Sequence, residues 1–178
     1  MEQAGSGVEP ERTPVDLSQP ADLDLAMRLG RAWRELRRGG SSTVIRDYFF
    51  GMGPEALEYG QMDTIDVLVR APSWRMSDLA LALHVDPSTA TRAVQRLVAT
   101  GLAERTTDRE DGRVVIVKIT DSGRELHRQV DQRRGYVMSR LMGVFTAEAR
   151  VALADMMTRF VNELDEVVKD LPHVIIAE

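Results

Sequence analysis

The segment from residue 76 to residue 120 constrains the fold more than any other part of the chain. It reads as helix, tight turn, helix, and then a two-stranded hairpin with a charged tip. Ser77 can cap a short helix whose apolar positions, Leu79, Ala80 and Leu83, share one face. His84 and Val85 make the turn. Asp86 offers a carboxylate to the orphan N–H groups of a second helix, and Pro87 takes its first position, where a missing N–H costs nothing. That helix runs to Thr100. Gly101 is the expected left-handed residue beyond its end, with Leu102 closing back on Leu97 as in a Schellman motif. A helix-turn-helix followed by a β-wing is an arrangement that docks a helix in the DNA major groove.

On the second helix, Ala90, Val94, Leu97 and Val98 recur at helical spacing and are expected to face inward. Ser88, Thr89, Thr91, Arg92, Gln95 and Arg96 are left pointing outward. Hydroxyls, an amide and guanidiniums are the groups that bond base edges and phosphates, although an ordinary solvated helix face has a similar composition. The hairpin is expected over residues 102–107 and 114–120. In its second strand Val115, Val117 and Ile119 alternate with Val114, Ile116 and Lys118, so one face meets a core. The tip, Asp108 to Arg113, carries Arg109 and Arg113 among acids. An arginine on a rigid hairpin can enter a narrow minor groove, and a neighbouring carboxylate can hold it in position.

These residues carry a family resemblance. The Leu79-Ala80 pair, Asp86-Pro87-Ser88-Thr89 opening the second helix, Arg92, Gly101-Leu102, Asp111-Gly112-Arg113, Thr120 and Gly123-Arg124-Glu125-Leu126 together resemble the winged-helix core of the MarR family. That family comprises the multiple-antibiotic-resistance-type regulators of bacteria and archaea. Upstream, Leu57-Glu58-Tyr59-Gly60-Gln61 is similar to the family's start of the preceding helix, so the likeness spans about residues 57–130. Two positions depart from the pattern. Gly112 stands where many members have an additional arginine, and Glu58 replaces the usual capping threonine, which is expected to weaken that helix start. The resemblance implies that Arg113 enters the minor groove with Asp111 orienting it. It also implies that Ser88, Thr89, Arg92 and Gln95 approach the major groove or its phosphates.

The net charge of −5 looks unsuited to a polyanionic partner, but the acidity is unevenly placed. Residues 71–120 carry seven basic and six acidic groups, while residues 1–70 carry eight and twelve. Cysteine is absent, which excludes a disulfide framework, a thiolate metal site and a cysteine-oxidation switch. The first residues are polar and acidic, and no run approaches transmembrane length, so a cytoplasmic location away from membranes is expected.

Residues 1–20, rich in Gly, Pro, Ser, Glu and Gln, read as a disordered arm. A helix is expected over 21–38 with Leu25, Ala26, Leu29, Ala32, Trp33 and Leu36 as its stripe. Gly39 to Ser42 interrupt it before a second piece over 44–50. Beyond the wing, 121–145 presents Leu126, Val130, Val137, Leu141, Val144 and Phe145. Thr146 can cap a last helix lined by Leu153, Met157, Phe160, Leu164, Val168 and Leu171, stopped by Pro172.

The expected fold class is therefore mainly α (α+β): a winged helix-turn-helix over 57–120, with long N- and C-terminal helices, 21–56 and 121–172, forming a dimerisation region. A short tail, 173–178, follows. The terminal stripes exceed what a small winged helix can cover. An intramolecular bundle and a two-fold homodimer are both open, and the dimer is favoured because isologous pairs dominate oligomers and the resemblance implies one. Two reading helices about 34–36 Å apart would then read a palindrome in double-stranded DNA. The resemblance further implies a small aromatic or phenolic effector between the dimer helices and the winged domain. Trp33, Arg37, Tyr48, Phe49, Met62 and Trp74 are the candidate lining residues, each of which also suits an ordinary core.

Enzymatic chemistry has little support. His84, His127 and His173 lack ligand spacing, and there is no Gly-rich phosphate loop or nucleophile elbow, so neither a metal nor a cofactor is expected. The expected function is a sequence-specific transcriptional regulator, a repressor released from its palindromic operator by a small molecule. The alternative is a winged-helix protein-interaction adaptor without sequence-specific DNA binding. Outward Ser88, Thr89, Arg92, Gln95 and Arg113 weigh against it.

Overall fold

The computed structural model describes residues 13–53, 56–107, 111–112 and 114–170. The chain divides between Ala56 and Leu57 into two compact units. The first holds helices α1 (Pro20–Arg38) and α2 (Gly40–Phe50). Pro20 starts α1, and α2 begins four residues earlier than the sequence pattern places it. The interruption falls on Gly39, whose N–H donates to the Glu35 carbonyl at 2.7 Å while its ψ of 148° turns the chain out of the helix. The Ser42 hydroxyl turns back to donate to the Leu36 carbonyl, satisfying one of the orphan acceptors at the end of α1. A Cβ at Gly39 would stand 2.6 Å from the Glu35 oxygen, so the close approach itself requires glycine. No residue of α1 is buried, and Leu25, Leu29, Trp33 and Leu36 lie open.

The second unit is built in the order α3 (Tyr59–Leu68), β1 (Trp74–Arg75), α4 (Met76–Ala82), α5 (Pro87–Ala99), β2 (Ala103–Thr107), β3 (Val115–Ile119), α6 (Asp121–Met142) and α7 (Ala147–Asp170). Its sheet has three antiparallel strands, in the order β1-β3-β2, rather than the expected two. The extra strand is two residues long and pairs Trp74 with Val117 and Arg75 with Ile116. So short a run has no visible period in sequence, and tertiary pairing makes the strand.

The core gathers Met62, Ile65 and Leu68 from α3, Leu79 from α4, Ala90, Val94 and Leu97 from α5, Val117 from β3 and Val130 from α6, all fully buried. Burial of a Leu, Ile or Met side chain stabilises by about 1.5–3 kcal/mol, so this cluster holds α3, α4, α5 and α6 to the sheet. Val98, expected inward, is 39% exposed, because its position on α5 falls at the edge of the stripe defined by Ala90, Val94 and Leu97.

The turn between α4 and α5 is a Schellman motif with histidine in the left-handed position. His84 has φ of 53°, its N–H donates to the Leu81 carbonyl at 3.0 Å, and the Val85 N–H reaches the Ala80 carbonyl at 3.2 Å. Ser77 does not cap α4. The helix begins one residue earlier, at Met76, and the Ser77 hydroxyl instead donates to the Asp78 carboxylate at 3.1 Å.

Thr120 ties the wing to α6. Its hydroxyl accepts from the Gly123 N–H at 3.1 Å and donates to the Gly101 carbonyl at 2.8 Å, and its own N–H donates to the Leu102 carbonyl at 3.1 Å. Helix α6 ends at Met142, three residues short of expectation, where Arg150 Nε donates to the Met142 carbonyl at 2.9 Å. Thr146 caps α7 as expected, accepting from the Ala149 N–H at 3.3 Å. Leu171 and Pro172 lie outside the described residues. Among the described residues no helix is long and apolar enough to cross a membrane.

Helices α3 and α6 are also joined by charge. One guanidinium nitrogen of Arg134 lies 3.0 and 2.9 Å from the two Asp66 oxygens, and His127 stands between Asp66 (3.2 Å) and Asp131 (3.5 Å). In the sequence only the His127–Asp131 spacing of one helical turn hints at the contact. Asp63, on the same helix as Asp66, is pushed above its ordinary 3.8 by partial burial and then by the charge of Asp66, with Arg134 acting the other way.

A carboxyl raised in the fold contributes stability below its unfolded pKa and loses it as pH rises through the folded value. At neutral pH the Asp63 charge is therefore a net cost. Asp63→Asn should raise the melting temperature at pH 7, by no more than about 1 kcal/mol equivalent after solvent screening, and should give no gain at pH 3. Equal effects at both pH values would contradict this cause.

Candidate nucleic-acid interface

Helix α5 is fixed at both ends by its own sequence. At the start, Asp86 Oδ1 accepts from the Ser88 N–H at 2.9 Å and the Thr89 N–H at 3.0 Å. The two hydroxyls add to this, Ser88 Oγ at 2.5 Å and Thr89 Oγ1 at 2.6 Å. These bonds hold the Asp86 carboxyl well below the usual carboxylate range, the Ser88 hydroxyl contributing most. At the far end Gly101 takes φ of 71°, its N–H donates to the Val98 carbonyl at 3.0 Å, and the Leu102 N–H donates to the Leu97 carbonyl at 2.8 Å. This is the Schellman closure that the sequence predicts.

The outward face is therefore presented on a rigid rod. Ser88, Thr89, Arg92, Gln95 and Arg96 are exposed, and Thr91 is half-buried. Their donors are not equally available. Ser88 and Thr89 give their hydroxyl protons to Asp86, and Thr91 gives its own to the Pro87 carbonyl at 2.7 Å. Those hydroxyls face outward as acceptors, suited to base amino groups more than to phosphates. Arg92 Nη2 donates to Ser88 Oγ at 3.1 Å, which lays the guanidinium along the helix. Arg96 donates to the Glu58 carboxylate of α3, a contact that nothing in the sequence pattern indicates.

Between the first turn of α3 and α5 lies a groove of about 240 Å³, lined by Glu58, Gly60, Gln61, Thr89, Arg92, Ala93 and Arg96. The start of α3 is better held than a lone Glu58 suggests, because the Gln61 side chain accepts from the Glu58 N–H at 2.9 Å.

At the wing, β2 and β3 pair from Ala103 with Ile119 to Thr107 with Val115. The Asp111 carbonyl accepts from the Val114 N–H at 2.9 Å, and Asp111 is exposed. Arg109 and Arg113 lie outside the described residues.

The six residues named as ligand-lining fall in both units. Trp33 and Tyr48 are about half exposed, Arg37 is exposed, and Phe49 packs its ring 6.1 Å from Tyr48 and 6.0 Å from Phe50. In the second unit Met62 is fully buried in the core. Trp74 is half-buried, and its indole Nε1 is a buried donor with no acceptor among the described residues.

Comparison with known proteins agrees with this architecture. Residues 51–114 match the model of the MarR family. An HTH-type transcriptional regulator of Bacillus subtilis, YdgJ, is 25% identical over 111 residues, 62% of this chain and 68% of that protein. A mutant MarR from E. coli complexed with operator DNA is 25% identical, covers 78% of this chain and 96% of its own, and superposes with a TM-score of 0.59. PcaV from Streptomyces coelicolor, in complex with its natural ligand, is 23% identical with a TM-score of 0.57, covering 85% of this chain and 98% of its own. The helix-turn-helix, the wing and these likenesses agree: residues 51–114 match the MarR family, and the chain is similar to winged helix-turn-helix transcriptional regulators.

Proposed function

We propose that this regulator works as a homodimer that reads a palindromic operator, represses transcription while bound, and is released by a small aromatic or phenolic ligand. The observation that carries the DNA reading is α5. It is capped at both ends and buries Ala90, Val94 and Leu97, while Ser88, Arg92 and Gln95 stand on its open face. The complex of the E. coli relative with operator DNA supports the same use of the fold. In this reading Arg92 and Gln95 approach base edges or phosphates, Thr89 and Thr91 support the helix start, and Arg109 and Arg113 act from the wing with Asp111 beside them.

Dimerisation is supported by the apolar side chains that single-chain packing leaves open on α1, α6 and α7, among them Leu29, Leu141, Phe160 and Leu164. The ligand reading is supported by PcaV, solved with its natural ligand, and by the buried indole donor of Trp74, which a phenolate or carboxylate would satisfy. A ligand that favours a half-site spacing unsuited to the operator would release DNA by its differential affinity for the two arrangements.

The test is a gel-shift against the intergenic DNA upstream of the protein's own coding sequence, with unrelated DNA of equal length as competitor. Specific binding that weakens steeply with salt is expected. Retention of neither duplex at low salt would favour the adaptor. On the bound operator, Arg92→Ala and Arg113→Ala should each weaken binding by about 1–3 kcal/mol, the size of a groove contact. Unchanged affinity in both would remove α5 and the wing from the interface.

A further inference from the structure

We propose that Glu58 is an electrostatic brake on the reading helix: it occupies Arg96 in the free protein and makes that arginine's phosphate contact conditional on breaking an ion pair. The inference rests on α5 being the DNA-reading element. Ser88, Arg92 and Arg96 follow one another at single-turn spacing, so the two guanidiniums belong to one stripe of α5. Their partners differ in kind. Arg92 donates to a neutral hydroxyl on its own helix, whereas Arg96 donates to the carboxylate of Glu58, 38 positions away at the N-cap of α3. Both side chains of the ion pair are more than half exposed, so the pair sits at the surface where a polyanion would arrive.

Glu58 is placed for this contact. It stands immediately before α3, with its backbone N–H held by Gln61, and it lines the same groove as Thr89, Arg92 and Arg96. A phosphate entering that groove meets a carboxylate beside the guanidinium that should receive it. Arg96 must exchange one anion for another. Glu58 then faces the phosphate without its cation. The exchange opposes binding through both groups, and it does so regardless of sequence, because phosphate contacts carry no base information. The brake therefore sets the overall grip of the protein on DNA and leaves its choice of sequence to Arg92, Gln95 and the wing.

The experiment measures affinity for operator and for an unrelated duplex across a salt series, using wild type, Glu58→Gln, Arg96→Ala and the double variant. Releasing Arg96 adds about one phosphate contact, so Glu58→Gln should steepen the slope of log K against log salt by about 0.9 and tighten binding about fivefold to tenfold near 0.1 M salt. The gain should be equal on the two duplexes. Arg96→Ala alone should weaken binding, because Glu58 then faces the phosphate without a cation, and in its background the Glu58→Gln gain should shrink to relief of that repulsion, without the steeper salt slope. Glu58→Thr, which keeps a capping hydroxyl at the start of α3, should reproduce the gain if Gln disturbs that helix. Binding unchanged by Glu58→Gln and by Glu58→Thr, or a full gain that persists without Arg96, would overturn the brake while leaving the DNA reader intact. No binding by any of the proteins at low salt would overturn the DNA reading and the brake together.

Discussion

Glutamate at positions 164 and 168 is expected to convert the protein to monomers and to weaken its hold on a full two-half-site operator by at least about 10²-fold, the avidity lost when two linked sites separate. Leu164 and Val168 follow Met157 and Phe160 along α7 at spacings that keep all four near one face. Leu164 remains 43% exposed and Val168 58% exposed in the single chain. Helix α7 is 24 residues long, and this side of it stays largely exposed in the single chain. Within a subunit interface a carboxylate at either position would be buried without a cation, which is strongly unfavourable. Because both positions are open in the single chain, the winged helix should fold unchanged, and circular dichroism should show native helix content. Sedimentation and gel-shift on one sample decide the matter. A dimer that survives the substitutions, or a monomer that binds the full operator as tightly as wild type, would refute the dimer model.

The second large effect concerns a single methyl group. Gly123→Ala is expected to destabilise the second unit by about 1–3 kcal/mol, several degrees of melting temperature in a chain of this size. A Cβ at Gly123 would stand 2.2 Å from the Leu102 carbonyl oxygen and 2.7 Å from Ile119 Cγ1. Neither neighbour can yield cheaply. The Leu102 carbonyl already accepts from the Thr120 N–H, and Ile119 is a buried strand residue. The control lies on the same helix. A Cβ at Gly135 meets nothing within 4 Å, so Gly135→Ala should stabilise through helix propensity alone. Thermal melts of the two variants should move in opposite directions, and a shared direction would show that the contact at Gly123 is relieved by movement of α6.

The elements with punctuation were legible in the sequence. Asp86-Pro87 and Gly101-Leu102 specify both ends of α5 through backbone chemistry that needs no tertiary partner, and the structure has both caps. Thr146 marks the start of α7 for the same reason. Contacts set by tertiary geometry were not legible. Ser77 looks like a cap, but α4 starts at Met76 directly from β1. Val98 fits an apolar period, yet the burying surface stops short of it. The Glu58–Arg96 and Asp66–His127–Arg134 contacts join residues dozens of positions apart, and no local pattern encodes which charges will meet. Of the candidate site, the residue types on α5 could be read in advance. Which of their hydrogen-bond donors are already committed could not, since that depends on rotamers chosen around the Asp86 carboxylate.

The two-residue strand β1 has a kinetic consequence. The helix-turn-helix and the β2–β3 hairpin are assembled from residues near one another in sequence, whereas Trp74 meets Val117 only after more than forty intervening residues have been placed. Long-range pairings of that kind carry the loop-closure entropy of everything between them and form slowly. The local elements can therefore form before the sheet is complete. The pairing of Trp74 and Arg75 to β3 is then expected to close after the β2–β3 hairpin and to open before it, which makes this two-residue edge the weaker seam of the sheet.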